Sequence, residues 1–238
     1  MKTLASLLLT ILLFAVSAVD IQAGSRITVD KTAFDFGYVP QNARISHVFW
    51  IHSTGDAPLK ITDVKPGCSC TKAPLEKDEI AIGDSTRLEI IFSTKSYRSR
   101  VRKQPLIHTN AGDVPFRLAI EANVMPRPDS AYPLVMEPYK VAFSRLNENS
   151  AGEKRFEIYN ASDEVLELTM VSSASDFFEV DLPGTINPGA TVLGKVTVRE
   201  DKLNNSFEKS FTLRTNDSKS SRFTVPVTQR VRQAFSTR

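Results

Sequence analysis

From Ser25 onward the apolar residues fall in short alternating runs bounded by Gly, Pro, Asn, Asp and Ser, and no stretch sustains a helical period. The alternation is cleanest in Leu88, Ile90 and Phe92, and again in Phe116, Leu118, Ile120 and Ala122. Each of these strands should therefore bury one face. In the first half the pattern predicts strands near residues 27–30, 45–52, 59–64, 86–92, 101–108 and 115–124.

The second half repeats this order. Phe36 answers to Phe143, Phe49 to Phe156 and Asp56-Ala-Pro-Leu59 to Asp163-Glu-Val-Leu166, all at an offset of 107 residues. Further on, Gly83 answers to Gly189, and His108-Thr109-Asn110 to Arg214-Thr215-Asn216, at an offset of 106. A period of ~100 residues is the usual size of one β-sandwich domain. The expected architecture is all-β, with two tandem sandwiches over residues 24–125 and 134–238. They are joined by a linker over 126–133, where Pro126, Pro128 and Pro133 favour a stiff extended connector.

At the N-terminus, Met1-Lys2-Thr3 precedes the apolar run Leu4 to Val16 and small residues ending at Ala18 and Ala23. This reads as a secretory signal peptide over residues 1–23, too short to span a membrane, where ~20 apolar residues are needed. The mature chain then has no transmembrane segment, and export to the periplasm or the medium is expected. Residues 24–125 carry 14 Lys+Arg against 11 Asp+Glu, and residues 126–238 carry 15 against 15. That balance makes no case for nucleic acid as a partner. One local run stands out: Lys95, Arg98, Arg100, Arg102 and Lys103 with no acid among them. It reads either as a basic interaction loop or as a solvated hairpin.

Several segments together resemble a known family: Phe34-Asp-Phe-Gly37, His47-Val-Phe49, Thr54-Gly-Asp-Ala-Pro-Leu59, Pro66-Gly-Cys-Ser-Cys-Thr71 and Ile80-Ala-Ile-Gly83. The first half is similar to the bacterial domain-of-unknown-function family numbered 1573. Its wider superfamily includes abnormal-spindle, hydin-type and major-sperm-protein domains. The resemblance implies an exported, immunoglobulin-like domain and implies no activity. Ser69 stands where the family motif usually carries glycine, Ser53 where it carries asparagine, and Ile82 where it carries proline.

Cys68 and Cys70 are the only cysteines. In an oxidising compartment they would form a disulfide, yet a bridge across two residues removes little entropy from the unfolded chain. As thiolates on one face of an extended segment they could serve Cu(I) or Zn(II), two ligands being too few for zinc alone. Nearby lysines could instead favour redox chemistry. The residues leave disulfide, thiols and metal ligands open. At the 107 offset Cys68 and Cys70 fall opposite Ser175 and Phe177, so the repeated unit folds without them.

His52 and His108 form a weak metal pair placed at strand ends away from the cysteines, and His47 alternates with Phe49 and Ile51 as a core histidine. Trp50 either packs in a core or faces a partner. The acidic cluster Glu76-Lys-Asp-Glu79 reads as a polar turn. The chain has no Gly-x-Ser-x-Gly elbow, no His-Glu-x-x-His, no phosphate-binding glycine loop and no calcium-loop spacing.

The expected function is that of a non-catalytic extracytoplasmic binding or structural module of the cell envelope, with another protein or an envelope component as partner and no cofactor. The alternative is copper handling or thiol redox exchange at Cys68 and Cys70.

Overall fold

The computed structural model describes residues 24–145 and 152–231. The signal peptide expected over residues 1–23 lies outside them. The first half contains β1 (Ile27–Val29), β2 (Ala33–Pro40), β3 (Arg44–Ser53), β4 (Leu59–Lys65), β5 (Thr71–Lys72), β6 (Glu79–Ile80), β7 (Ser85–Ser93), β8 (Ser99–Lys103), β9 (Leu106–Thr109), β10 (Gly112–Arg117) and β11 (Ala119–Met125). The second contains β12 (Leu134–Glu137), β13 (Val141–Arg145), β14 (Glu153–Asn160), β15 (Leu166–Ser173), β16 (Phe178–Asp181), β17 (Thr185–Ile186), β18 (Thr191–Val198), β19 (Phe207–Thr215) and β20 (Arg222–Val231). No α-helix occurs among the described residues, and no helix there is long and apolar enough to cross a membrane.

The two halves pair their strands in the same way. The antiparallel ladders β1·β3, β3·β7, β5·β7, β4·β6 and β4·β9 correspond to β12·β14, β14·β18, β16·β18, β15·β17 and β15·β19. The parallel pairing β2·β11 corresponds to β13·β20. These are two immunoglobulin-like β-sandwiches. The repeated positions are structural ones: Phe36, Phe49 and Leu59 are buried in one core cluster, and Phe143, Phe156 and Leu166 in the other.

The first sandwich departs from its copy where a strand changes sheets. The single strand expected over 101–108 is divided at Gln104-Pro105, so that β8 pairs β11 while β9 pairs β4. Pro105 has no N–H to donate to a ladder, which makes it a natural place to break. In the second sandwich β19 stays continuous and pairs both β15 and β20. The strand expected over 115–124 is likewise divided at Leu118, between β10 and β11.

The connector differs from the extended segment predicted for it. Residues Pro128–Ser130 form a 3-10 turn closed by the Ser130 N–H donating to the Arg127 carbonyl at 3.2 Å. Proline's fixed φ suits the start of such a turn as well as an extended chain.

The sandwiches share a sheet. Strand β2 lies between β11 of its own unit and β20 of the other, parallel to both and meeting β20 at Tyr38 opposite Phe223. Gly37 makes this approach feasible. Its φ is +64°, and a Cβ there would sit 2.0 Å from the Arg222 carbonyl oxygen. Its counterpart at the 107 offset is Ser144, so the glycine answers to the junction and not to the sandwich as such.

Around Gly37 the Thr224 hydroxyl donates to the Phe36 carbonyl at 2.6 Å, and the Tyr139 hydroxyl donates to the Tyr38 carbonyl at 2.7 Å. Farther along, the Ser46 N–H donates to Ser210 Oγ at 2.9 Å, and that hydroxyl donates to the Ser46 carbonyl at 3.1 Å. Lys209 Nζ donates to both carboxylate oxygens of Glu89 at 2.7 and 2.6 Å, with side chains only 16% and 17% exposed.

Replacing Gly37 by Ala should cost at least about 2 kcal/mol, from a left-handed backbone a Cβ disfavours and from collision with the Arg222 backbone. Urea unfolding checks this. A Ser144→Ala change, made at the repeat-equivalent position, should shift the midpoint far less.

Candidate functional site

Three places bring chemistry-bearing side chains together. The first is the cysteine loop between β4 and β5. Pro66-Gly67 ends β4, with Gly67 at φ +86°, and the chain turns so that the Thr71 N–H donates to the Cys68 carbonyl at 3.2 Å. Cys68 and Cys70 are joined as a disulfide, with Cα atoms 5.2 Å apart. Cys70 is buried and packs into the first core, whereas Cys68 is only partly covered. The Thr71 hydroxyl lies 3.3 Å from Cys68 Sγ and 3.8 Å from Cys70 Sγ.

The basic run meets this loop. The Tyr97 hydroxyl donates to Cys70 Sγ at 3.7 Å, and Lys103 Nζ donates to the Tyr97 oxygen at 3.3 Å while lying 4.8 Å from the centre of its ring. Thr71 was named from the sequence only as the end of the Cys-Ser-Cys-Thr motif, and Tyr97 was not singled out. The signal for Tyr97 was an aromatic residue inside an otherwise polar and basic run. Joined to each other, the two sulfurs offer no thiolate to a soft cation; copper or zinc would need the reduced pair. Among the described residues no group of three or more His, Cys, Asp or Glu side chains is placed to hold a metal ion.

The second place is the outer edge of the shared sheet. The basic run is largely strand, not a loop or hairpin tip: β8 carries Arg100, Arg102 and Lys103 and ends the sheet, its only ladder partner among the described residues being β11. Arg100 and Arg102 both reach Glu121, Arg102 Nε at 3.5 Å. Hydrogen bonding to Glu121 raises the Arg100 pKa above its ordinary value.

The third is a cleft of ≈ 550 Å³ between the sandwiches. Trp50, 43% exposed, lines it, with the Arg87 guanidinium 5.9 Å from the ring centre. Arg87 spans the cleft to Asp176 at 2.8 Å and also reaches Glu76 at 3.4 Å. Its pKa is raised first by the hydrogen bond it donates to Asp176. On the same strand as Trp50, His47 faces the other sandwich, its Nδ1 3.1 Å from the Ser172 hydroxyl of β15 and its ring stacked on Phe34 at 3.6 Å. His47 thus sits where the sandwiches meet, at the margin of the core. Burial first, then Lys31 and Arg222, lowers its pKa from 6.5 to about 4. This places a serine and a neutral imidazole side by side. Among the described residues no carboxylate bonds the ring to orient it as a base.

The remaining histidines are not brought together. His52 Nε2 pairs with Asp30 at 2.8 Å in the sheet of β1 and β3, whereas His108 lies in the sheet of β4 and β9, its Nε2 buried without a hydrogen-bond partner among the described residues. The acidic turn is matched by cations: Glu79 pairs with Lys60 at 2.7 Å, Lys77 with Asp84, and Glu76 with Arg87.

Together the fold and these sites describe an immunoglobulin-like module with one sulfur-bearing end. Residues 27–124 match the model of the family described as protein of unknown function, DUF1573, which bears out the resemblance read from the residues and covers the first sandwich. No curated protein matches the chain. Among solved structures it is similar to a protein of unknown function from Porphyromonas gingivalis W83, at 10% identity and TM-score 0.35 over 85% of this chain and 98% of that one. It is also similar to the ASH/PapD-like domain 7 of human CEP192, at 5% identity and TM-score 0.37 over 53% of this chain and 99% of that one. Scores this low add nothing to what the strand pairing establishes.

The neutral state of His47 gives a pH dependence. The unfolded chain takes up its proton near pH 6.5, the native state only near 4. Stability should therefore fall as pH is lowered from about 6.5 to about 4, and be insensitive to this group above that window. Urea unfolding at pH 7 and 4.5 should show the wild type losing about 2–3 kcal/mol more than His47→Gln over the same step.

Proposed function

We propose that this chain is a non-catalytic extracytoplasmic binding module of the bacterial cell envelope, exported by residues 1–23, whose β8 edge receives an extended acidic segment of another envelope protein. The observation that carries the reading is β8 itself: a terminal strand of the shared sheet with its outer side unpaired among the described residues, carrying Arg100, Arg102 and Lys103.

An unpaired edge offers backbone N–H and C=O groups to an added strand, and side chains then choose which strand it is. Here the choice is electrostatic. Lys95 and Arg98 precede β8, and Glu121 is the carboxylate that Arg100 and Arg102 share. The adjoining groove of ≈ 980 Å³ runs across β8, β11, β2 and the β19–β20 turn. It is lined by Arg100, Arg214, Lys219 and Arg222 against Asp35 and Glu121. An Asp- or Glu-rich strand on β8 would meet this excess of cations. The fixed junction through Gly37 keeps the groove, which is built from both sandwiches, in one shape.

A photo-crosslinker placed at Arg102 in the exported protein should trap a discrete envelope protein. One placed at Leu193, exposed on β18, should not. The double change Arg98→Glu/Arg102→Glu should reduce the crosslink made from Arg100 roughly tenfold, and high salt should weaken it in the wild type. An unchanged yield in the charge-reversed protein would contradict the reading.

A further inference from the structure

The geometry points to the Cys68–Cys70 bridge as a thiol–disulfide exchange centre that oxidises a protein dithiol, with Cys68 the sulfur attacked and Cys70 the leaving sulfur, held by Tyr97 and Lys103. This activity goes beyond strand binding and does not depend on it.

Three observations carry it. The bridge joins residues two apart with only Ser69 between them, so it constrains little of the unfolded chain, and the second sandwich builds the same position without sulfur. There Phe177, the counterpart of Cys70, packs against the second core. A staple is therefore a poor account of the pair.

Next, the two sulfurs are unequal. Cys68 is partly exposed beside exposed Gly67 and Ser69, whereas Cys70 is 6% exposed and sealed beneath the loop. An incoming thiolate can reach only the first, and exchange requires access to the sulfur attacked.

Finally, donors converge on the second. The Tyr97 hydroxyl points at Cys70 Sγ from 3.7 Å, and Lys103 Nζ backs that hydroxyl from 3.3 Å. A neutral bridged sulfur gains little from such donors. A departing thiolate gains much more, because hydrogen bonds to an ionised acceptor are about twice as strong as neutral ones.

The step balances as follows. A thiolate of the partner dithiol attacks Cys68 Sγ, forming a mixed disulfide and breaking the Cys68–Cys70 bond. The electron pair leaves on Cys70 Sγ, where Tyr97 and Thr71 donate to it. The partner's second thiolate then attacks its own sulfur in the mixed disulfide and releases Cys68. The partner is oxidised to a disulfide, the bridge is reduced to two thiols, and the two protons of the partner thiols end on Cys68 and Cys70.

The test uses the full mature protein with dithiothreitol as the dithiol and glutathione as the trapping monothiol, and needs no identified partner. Its failure would therefore leave the strand-binding reading untouched. Peptide mass spectrometry after glutathione treatment and acid quench should place the mixed disulfide on Cys68. Tyr97→Phe and Lys103→Met should each slow reduction by dithiothreitol roughly tenfold, while Lys103→Arg retains the wild-type rate. Because Tyr97 packs near Phe92, thermal melts accompany each variant, and Lys103→Met, at the surface end of the relay, remains informative if Tyr97→Phe is destabilised. Glutathione on Cys70, or wild-type reduction rates in Lys103→Met, would overturn the assignment.

Discussion

The approach of β2 to β20 is the constraint on which the rest of the molecule depends. A strand that hydrogen-bonds to neighbours in two different sandwiches commits both to one sheet, and strand spacing of about 4.8 Å leaves no room for a side chain that points along the ladder. Gly37 meets that condition with a positive φ and no Cβ. Once the backbones are that close, the polar groups around them must be paired or they would be costly to bury. Thr224, Tyr139, Ser210 and the Lys209–Glu89 pair supply those partners, chiefly to backbone carbonyls and to one half-buried carboxylate. A largely desolvated ion pair of this sort is weak support for stability, but loss of one partner is costly, so it favours a single docking arrangement over alternatives.

The consequences reach both functional regions. Holding β2 against β20 fixes β11, which in turn holds β8 at the margin of the sheet with Arg100 and Arg102 exposed and Lys103 turned toward Tyr97. The division at Gln104-Pro105 lets β8 leave the sheet of β4, and the chain entering β8 carries Tyr97 over the cysteine loop. One departure from the repeated pattern thus produces both the basic edge of the shared sheet and a polar relay to sulfur. The second sandwich keeps the continuous strand β19, which pairs on both sides with β15 and β20.

Much of the fold was legible because burial on one face writes a period of two into the sequence, and duplication writes it twice. Leu88, Ile90 and Phe92 announce β7, and the paired Phe36/Phe143 and Phe49/Phe156 announce the repeat. Strand β2 was not predicted, although Phe34 and Phe36 alternate, because Gly37 and Pro40 interrupt the apolar pattern; Gly37 marks the close approach to β20 and Pro40 ends the strand opposite Met125. The junction was hidden for a different reason. Ser46, Ser210, Thr212 and Thr224 look like solvent-facing strand residues, yet all are buried, satisfied by partners more than a hundred residues away or on the neighbouring strand. Pattern reading assumes one buried face per strand and cannot see a second. The cysteine pair was visible at once, whereas the contacts Thr71 and Tyr97 make with it were not, since their roles come from distances that spacing does not encode.

The most direct test of the shared sheet is a set of backbone residual dipolar couplings from the mature protein in weakly aligning medium. If β2 joins the two sandwiches as described, amides from both units fit one alignment tensor with the orientation of the structure. Two tensors of different magnitude, one for each sandwich, would show units that tumble separately and would contradict the account.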